Sequence, residues 1–308
     1  MTPFLTGPVH PIPIPFNEDE SVDFVSLRSY CEYLIAGGAV NLLVTVGTSR
    51  FNLLSRDEMR QVNATVAEAG QGRGKVIVSG PGPNTGSTLE NIEFAKSAAD
   101  CGADAIIAVY PERWYGDDPL VDFFHRIADE SVLPVWVHVV PMRDGFGGVH
   151  AVKKFELPAL RRVASHENIV GVKEENGDRE MFEEILGALK DAVAVIGAGG
   201  AMRRFMKDHP LGSTNYLVGI ESLIPELGTK YFGAMMSGDL DAAEVLAKTQ
   251  EDPFFETAVR YGWHRSLKES LHILGLMPPY ERRPFTRVDA AAQADLRNII
   301  ETIGWKTV

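Results

Sequence analysis

Cysteine is nearly absent: Cys31 and Cys101 are the two in 308 residues, both in apolar, helix-patterned segments. With no regular spacing they form neither a disulfide frame nor a thiolate metal site, and they read as core thiols of a reducing compartment. Positive charge is also scarce. Thirty Lys and Arg stand against 42 Asp and Glu, a formal net charge of -12. That excludes a nucleic-acid partner, whose binding draws on many phosphate contacts. It leaves anionic small molecules open, since they need only local positive charge. No apolar run approaches the ~20 residues of a membrane-spanning helix. The opening MTPFLTGPVHPIPIPFNEDE has neither the basic start nor the apolar stretch of a secretory signal. No membrane association is expected, and the cytoplasm is the default location. The eight histidines are scattered, without His-x-x-x-His or Cys-x-x-Cys, so no metal site is expected. The glycine-rich pieces Gly80–Gly86 and Gly197–Gly200 are neither GxGxxG nor a P-loop and read as tight turns.

What the chain has is a regular alternation. Eight short apolar runs, Val9–Pro15, Val40–Gly47, Lys75–Gly80, Ala105–Pro111, Pro134–Pro141, Ile169–Glu174, Ala192–Gly197 and Thr214–Gly219, are separated by helix-period segments. Ser21–Ala36 carries an apolar face at Phe24, Leu27, Tyr30, Cys31, Leu34 and Ile35. Ser87-Thr-Leu-Glu90 has capping-box spacing ahead of another such segment. Eight βα units in a row favour an α/β fold of the (β/α)8 TIM-barrel type over a doubly wound sheet. The barrel is expected over residues 1–226. Residues 227–308, punctuated by Pro253, Pro278, Pro279 and Pro284, are expected to form a C-terminal helical extension packed on it. Barrel strands end in the active-site mouth, which would gather Thr48, Ser49, Pro111, Pro141, Arg143, Lys173, Gly197 and the Gly219 region.

Lys173 ends the apolar run Ile169-Val-Gly-Val-Lys173. Burial there disfavours the ammonium and frees the amine to attack a carbonyl. The plainer alternative is a lysine that emerges and pairs with Glu174 or Glu175. Strand alternation puts Lys173 and Glu175 on one face and Glu174 on the other. Gly47-Thr48-Ser49 offers N–H and hydroxyl donors to a carboxylate, or is an ordinary strand-to-helix turn. His138 lies on the fifth run and has the pKa of a proton shuttle, though a lone strand histidine is often a core residue. Arg143 suits bidentate carboxylate binding, or pairs with Asp144 at the surface.

Together and in order, these pieces resemble the dihydrodipicolinate synthase / N-acetylneuraminate lyase family of Schiff-base aldolases. Val9-His-Pro-Ile-Pro-Ile-Pro-Phe-Asn-Glu-Asp is similar to the family's opening strand and loop, and Gly47-Thr48-Ser49 to its Gly-Thr-Thr turn. Ser79–Glu90 is similar to its third-strand loop, Val139-Val-Pro-Met-Arg143 to its Asn-Val-Pro-x-Arg segment, and Arg282-Arg-Pro-Phe to its last loop. Ile169-Val-Gly-Val-Lys-Glu174 is similar to its lysine motif, the most specific of these. The resemblance implies a lyase that forms an imine between Lys173 and pyruvate or a 2-keto-3-deoxy acid, with no cofactor beyond that imine. It further implies a homo-oligomer, a dimer or tetramer. Thr48 and Ser49 would hold the substrate carboxylate and Gly197 would line the site. The chain departs from the family in four places. His138 stands where a tyrosine is usual, Pro111-Glu-Arg-Trp-Tyr115 replaces Pro-Tyr-Tyr, Arg50-Phe-Asn follows the threonine turn, and Glu175 replaces a small residue. The expectation is therefore that His138 carries the proton, Glu175 is a second acid/base, and Arg50 with Arg143 selects an anionic substrate. Aldol cleavage, dehydration and dihydrodipicolinate-synthase-like condensation share one enamine and stay open, as does a catalytically silent barrel that binds a small acid.

Overall fold

The computed structural model describes residues 4–82, 86–144, 152–197 and 199–307. Eight parallel strands form the centre: β1 Gly7–Pro11, β2 Asn41–Val44, β3 Lys75–Ser79, β4 Ala105–Val109, β5 Val135–Val139, β6 Ile169–Glu174, β7 Ala194–Gly197 and β8 Asn215–Leu217. Each pairs with the next along the chain from β1 to β7, β8 returns to pair with β1, and β7 lies against β8. The strands read as unbroken apolar runs because both faces are buried. Inward residues Val9, Leu43, Ile77, Ile107, Trp136, Ile196 and Leu217 fill the barrel. Their alternates, such as Leu42, Val44, Val76, Val78, Ile106 and Val137, pack beneath the helices. Trp136 is fully buried and lies against the backbone of Gly171 on the neighbouring strand.

Each strand leads into a helix: α1 Phe24–Ala36, α2 Arg56–Gly70, α3 Thr88–Asp100, α4 Asp117–Glu130, α5 Leu157–Val163, α6 Arg179–Leu189, α7 Met202–Asp208 and α8 Pro225–Ser237. Local chemistry sets the starts. Asp23 accepts from Ser26 N at 2.9 Å, Ser55 and Glu58 form a capping box, and Ser87 accepts from Glu90 N at 3.2 Å. The helix expected from Ser21 begins at Phe24, where the Asp23 carboxylate satisfies one of the free first-turn N–H groups, that of Ser26. The boundary expected after residue 226 falls inside α8, because Pro225 is a favourable first-turn residue and starts the barrel's last helix there.

The extension then adds α9 Leu240–Leu246, α10 Asp252–Ala258, α11 Trp263–Ile273 and α12 Ala290–Ile303, with a π-helical turn over Ala247–Glu251 between α9 and α10. That turn sends Glu251 inward, where its carboxylate accepts from Met202 N at 2.6 Å and Arg203 N at 2.9 Å. The extension thereby pins the start of α7 at the strand-end face of the barrel. A small sheet of Arg113–Trp114, Met142–Asp144 and Val152–Lys153 joins the loops after β4 and β5. Its two- and three-residue strands are too short to leave a periodic signal. No helix among the described residues is long and apolar enough to cross a membrane.

Gly171 has a testable consequence. A Cβ built there would fall inside the ring of Trp136, which is closed in on all sides. Gly171→Ala is expected to destabilise the fold by about 1–3 kcal/mol, the usual cost of overpacking. A chemical denaturation curve should show a lower midpoint with an unchanged slope. An unmoved midpoint would show that the Trp136 layer is loosely packed.

Candidate active site

Register brings two of the candidate residues face to face. His138 on β5 pairs directly with Lys173 on β6, one layer above Trp136 and Gly171. Both side chains are buried, at 3% and 4% exposure. Lys173 Nζ lies 2.7 Å from His138 Nε2, and Nε2 lies 2.5 Å from a Glu175 carboxylate oxygen. Lys173 also bonds Glu175 directly. Glu175 holds its place through its backbone N–H, which donates to the Val139 carbonyl at 2.8 Å. Glu174 points to the opposite face, as alternation requires, and accepts from Asn176 N at 2.7 Å.

Burial sets the electrostatics of this triad. It lowers the Lys173 ammonium below its ordinary value, opposed by the Glu175 carboxylate. It also lowers His138 to about 4, helped by the charge of Lys173 and opposed by Glu175. Burial alone would raise Glu175, but the bonds and charges of His138 and Lys173 override it and hold the carboxyl below the usual range. The result is one carboxylate faced by two bases that disfavour being charged together. A single proton on the pair neutralises the site. On Lys173 it makes the ammonium a donor to Nε2; on Nε2 it bonds Glu175 and leaves the amine free. Among the described residues His138 Nδ1 is buried without a partner, so its chemistry runs through Nε2.

The space above the triad is a cavity of about 310 Å³ whose lining includes Thr48, Lys173, Glu175, Gly199, Gly200 and Ala201. Gly200 is required there, since a Cβ would strike the Leu217 carbonyl. His138 is not part of the lining; it sits beneath Lys173. Thr48 reaches the cavity from the turn after β2. Thr45 and Arg50 flank this turn with left-handed φ of 58° and 55°, a costly conformation for a β-branched residue. The Thr45 hydroxyl accepts from Ser79 N at 2.9 Å and bonds Asn63 Oδ1 at 2.8 Å. Asn63 Nδ2 in turn donates to the Ser79 carbonyl at 3.0 Å.

Other expected ligands lie elsewhere. Ser49 is fully buried and donates its hydroxyl to the Ile12 carbonyl at 2.6 Å, so that hydroxyl is spent on the fold. Arg50 turns under the extension, reaching Glu281 and the His264 carbonyl, each at 3.3 Å, and stacking on Phe285. The side chain of Asp144, the partner expected of Arg143, lies outside the described residues; Arg143 is largely exposed and pairs with Glu112 at 2.7 Å. It lines a separate cleft with Tyr110, Pro141 and Val152, because the small sheet carries its loop away from β6. Gly197 ends β7 against the Arg204 guanidinium and is outside the cavity lining. The sequence reading missed Phe255, Trp263 and His264, which the extension delivers to the cavity wall. No motif or spacing in the sequence singled them out. No group of three or more metal-ligating side chains occurs among the described residues.

Comparison with known proteins agrees with this architecture. The dihydrodipicolinate synthetase family model matches residues 5–303. The chain is 28% identical over 294 residues to a 4-hydroxy-tetrahydrodipicolinate synthase of Haloarcula marismortui, covering 94% of this chain and 90% of that protein. It is also 28% identical over 300 residues to an N-acetylneuraminate lyase of Rhizobium meliloti, covering 95% and 93%. The dihydrodipicolinate synthase structure from Bacteroides thetaiotaomicron superposes with a TM-score of 0.86 over 98% of this chain and 100% of that one, at 22% identity. That likeness carries the barrel fold with its C-terminal helices. The chain belongs to the dihydrodipicolinate synthetase family.

Proposed function

We propose that this family member, an enzyme of the Schiff-base lyase class, binds pyruvate or another 2-keto acid in the cavity over Lys173 and processes it through an enamine. One observation carries the reading. A buried lysine amine has its own proton acceptor, His138 Nε2, at 2.7 Å, and that acceptor is backed by a carboxylate at 2.5 Å. When the proton moves from Lys173 to His138, the imidazolium is stabilised by Glu175 and the free amine attacks C2 of the keto acid. The C2 oxygen leaves as water, and the iminium becomes an electron sink for a C3–H or C3–C4 bond. Thr48 and the turn that carries it hold the substrate carboxylate. Glu175, half exposed at the cavity floor, exchanges protons with the bound carbon skeleton. The chemistry needs no cofactor beyond the imine. Arg50 and Arg143 have no part in this reading, being committed elsewhere. The enzyme is taken to act in the cytoplasm, in line with its few, unpaired cysteines, and, on the family resemblance, as a homo-oligomer.

Incubation with pyruvate and borohydride, followed by peptide mass spectrometry, should give a reduced pyruvyl adduct on Lys173. Lys173→Met should give none. An unmodified Lys173 with pyruvate and with other 2-keto acids would sink the reading.

Glu175 supplies a signed pH test. Its carboxylate favours the ammonium and so works against burial in raising the Lys173 pKa. The pH midpoint for adduct formation should lie below the ordinary lysine value in the native enzyme. In Glu175→Gln it should fall further, by about 1–3 units, the range typical of removing one close opposite charge. A midpoint that stays put or rises would show that Glu175 does not bear on the amine.

A further inference from the structure

The cavity has two unlike ends. Its floor is formed by Lys173 and Glu175; its far wall comes from the helical extension, as Phe255, Trp263 and His264. Phe255 and Trp263 stack face to face at 4.8 Å with planes 13° apart. Phe255 is seated on Gly219, where a Cβ would come within 2.9 Å of its ring. His264 stands at the exposed rim, with its backbone carbonyl fixed by Arg50 at 3.3 Å. Between floor and wall the lining holds Pro11, Val46, Leu217 and Val218, and among the described residues it includes no arginine and no lysine besides Lys173. An anionic or polyhydroxylated second substrate would find few partners there, and burying unpaired polar groups is costly. A planar apolar group would find a matching face.

Resting on the Schiff-base reading above, we propose that the extension selects the second half of the substrate, an uncharged aryl or conjugated aldehyde, and that His264 carries the proton of its oxygen. In cleavage, neutral His264 takes the proton of the C4 hydroxyl as the C3–C4 bond breaks. The bonding pair flows into the iminium to give the enamine, and the aldehyde leaves. The proton then passes to C3, and water hydrolyses the iminium to free pyruvate and Lys173. Condensation is the reverse. Partial desolvation at the rim, with the charges of Arg50 and Lys173, lowers the His264 pKa, opposed by Glu175, and so keeps the imidazole in the neutral form that can accept a proton. His138 lies outside the cavity lining, and its hydrogen-bond partners among the described residues are Lys173 and Glu175.

The test uses the native enzyme with pyruvate and a panel of aldehydes: benzaldehyde, cinnamaldehyde, glyceraldehyde and aspartate semialdehyde. The aryl and conjugated aldehydes should be used at least ~10-fold better in kcat/KM, in line with an aromatic contact. Trp263→Ala should shrink that preference by a similar factor. His264→Gln should lower condensation relative to C3–H exchange of pyruvate in D2O by ~100-fold, the scale of a lost general acid–base. It should also remove one limb of the pH profile. A borohydride adduct without preference for aryl aldehydes, or a His264→Gln enzyme whose condensation-to-exchange ratio is unchanged, overturns this inference and leaves the Schiff-base reading standing. Failure to form any adduct overturns both.

Discussion

The cost of burying the Lys173 amine governs the design of this site. An ammonium taken out of water and left alone is one of the most unfavourable events in a protein interior, and breaking a buried ion pair typically costs several kcal/mol. Lys173 is nonetheless 4% exposed. Glu175 and His138 make that tolerable by holding one negative charge and one mobile proton around it. The solution constrains backbone as well as side chains. His138 must be in register with Lys173 across a parallel pair, and Glu175 must lie two residues beyond Lys173 on the same face. A one-residue slip in either strand would turn one member of the triad to the other face of the sheet. Trp136 and Gly171, one layer below, fix that register by a contact that tolerates no side chain at 171.

The turn that supplies Thr48 is held by a second constraint. Two non-glycine residues with positive φ, Thr45 and Arg50, bracket it, and each carries strain on the order of 1–3 kcal/mol. Neighbouring elements oppose that strain. Thr45 is caught between Ser79 and Asn63 in a buried polar network, and Arg50 is locked beneath the extension by Glu281, His264 and Phe285. The arginine that looked like an anion selector is thus a strut joining the β2 turn to the helical extension. Its position beside Thr48-Ser49 suggested a ligand role in the sequence because the distance from residue 50 to residue 281 is invisible there.

How much could be read from the chain follows from which interactions are local. Seven of the eight barrel strands fall inside the apolar runs and β1 starts two residues before its run, at Gly7 rather than Val9, since a strand buried on both faces has no polar alternate to break the pattern. The split between Lys173 and Glu175 on one side and Glu174 on the other was legible for the same reason. Ser49, Arg143 and Gly197 were not resolved, because their partners are decided by loop paths. Ser49 spends its hydroxyl on Ile12, and the small sheet turns Arg143 to Glu112. Phe255, Trp263 and His264 were missed altogether. A helical extension has its own amphipathic pattern, and nothing in that pattern states which barrel loop it will cover.

Those missed residues change what the replacement of tyrosine by His138 means. On the proposed reading, freeing the lysine and moving the substrate's protons are two separate tasks. Here the two tasks can be divided, since His138 touches Lys173 and Glu175 but does not line the cavity. On that proposed reading, His138 governs when the amine is free, Glu175 passes protons between floor and ligand, and the far wall handles whatever is joined to C3. A barrel with this division can change its second substrate by altering residues 255–264, on helices outside the strands, without disturbing the register that keeps Lys173 reactive. The helical extension, usually the least informative part of such a sequence, is on this argument where the chain's specificity is written.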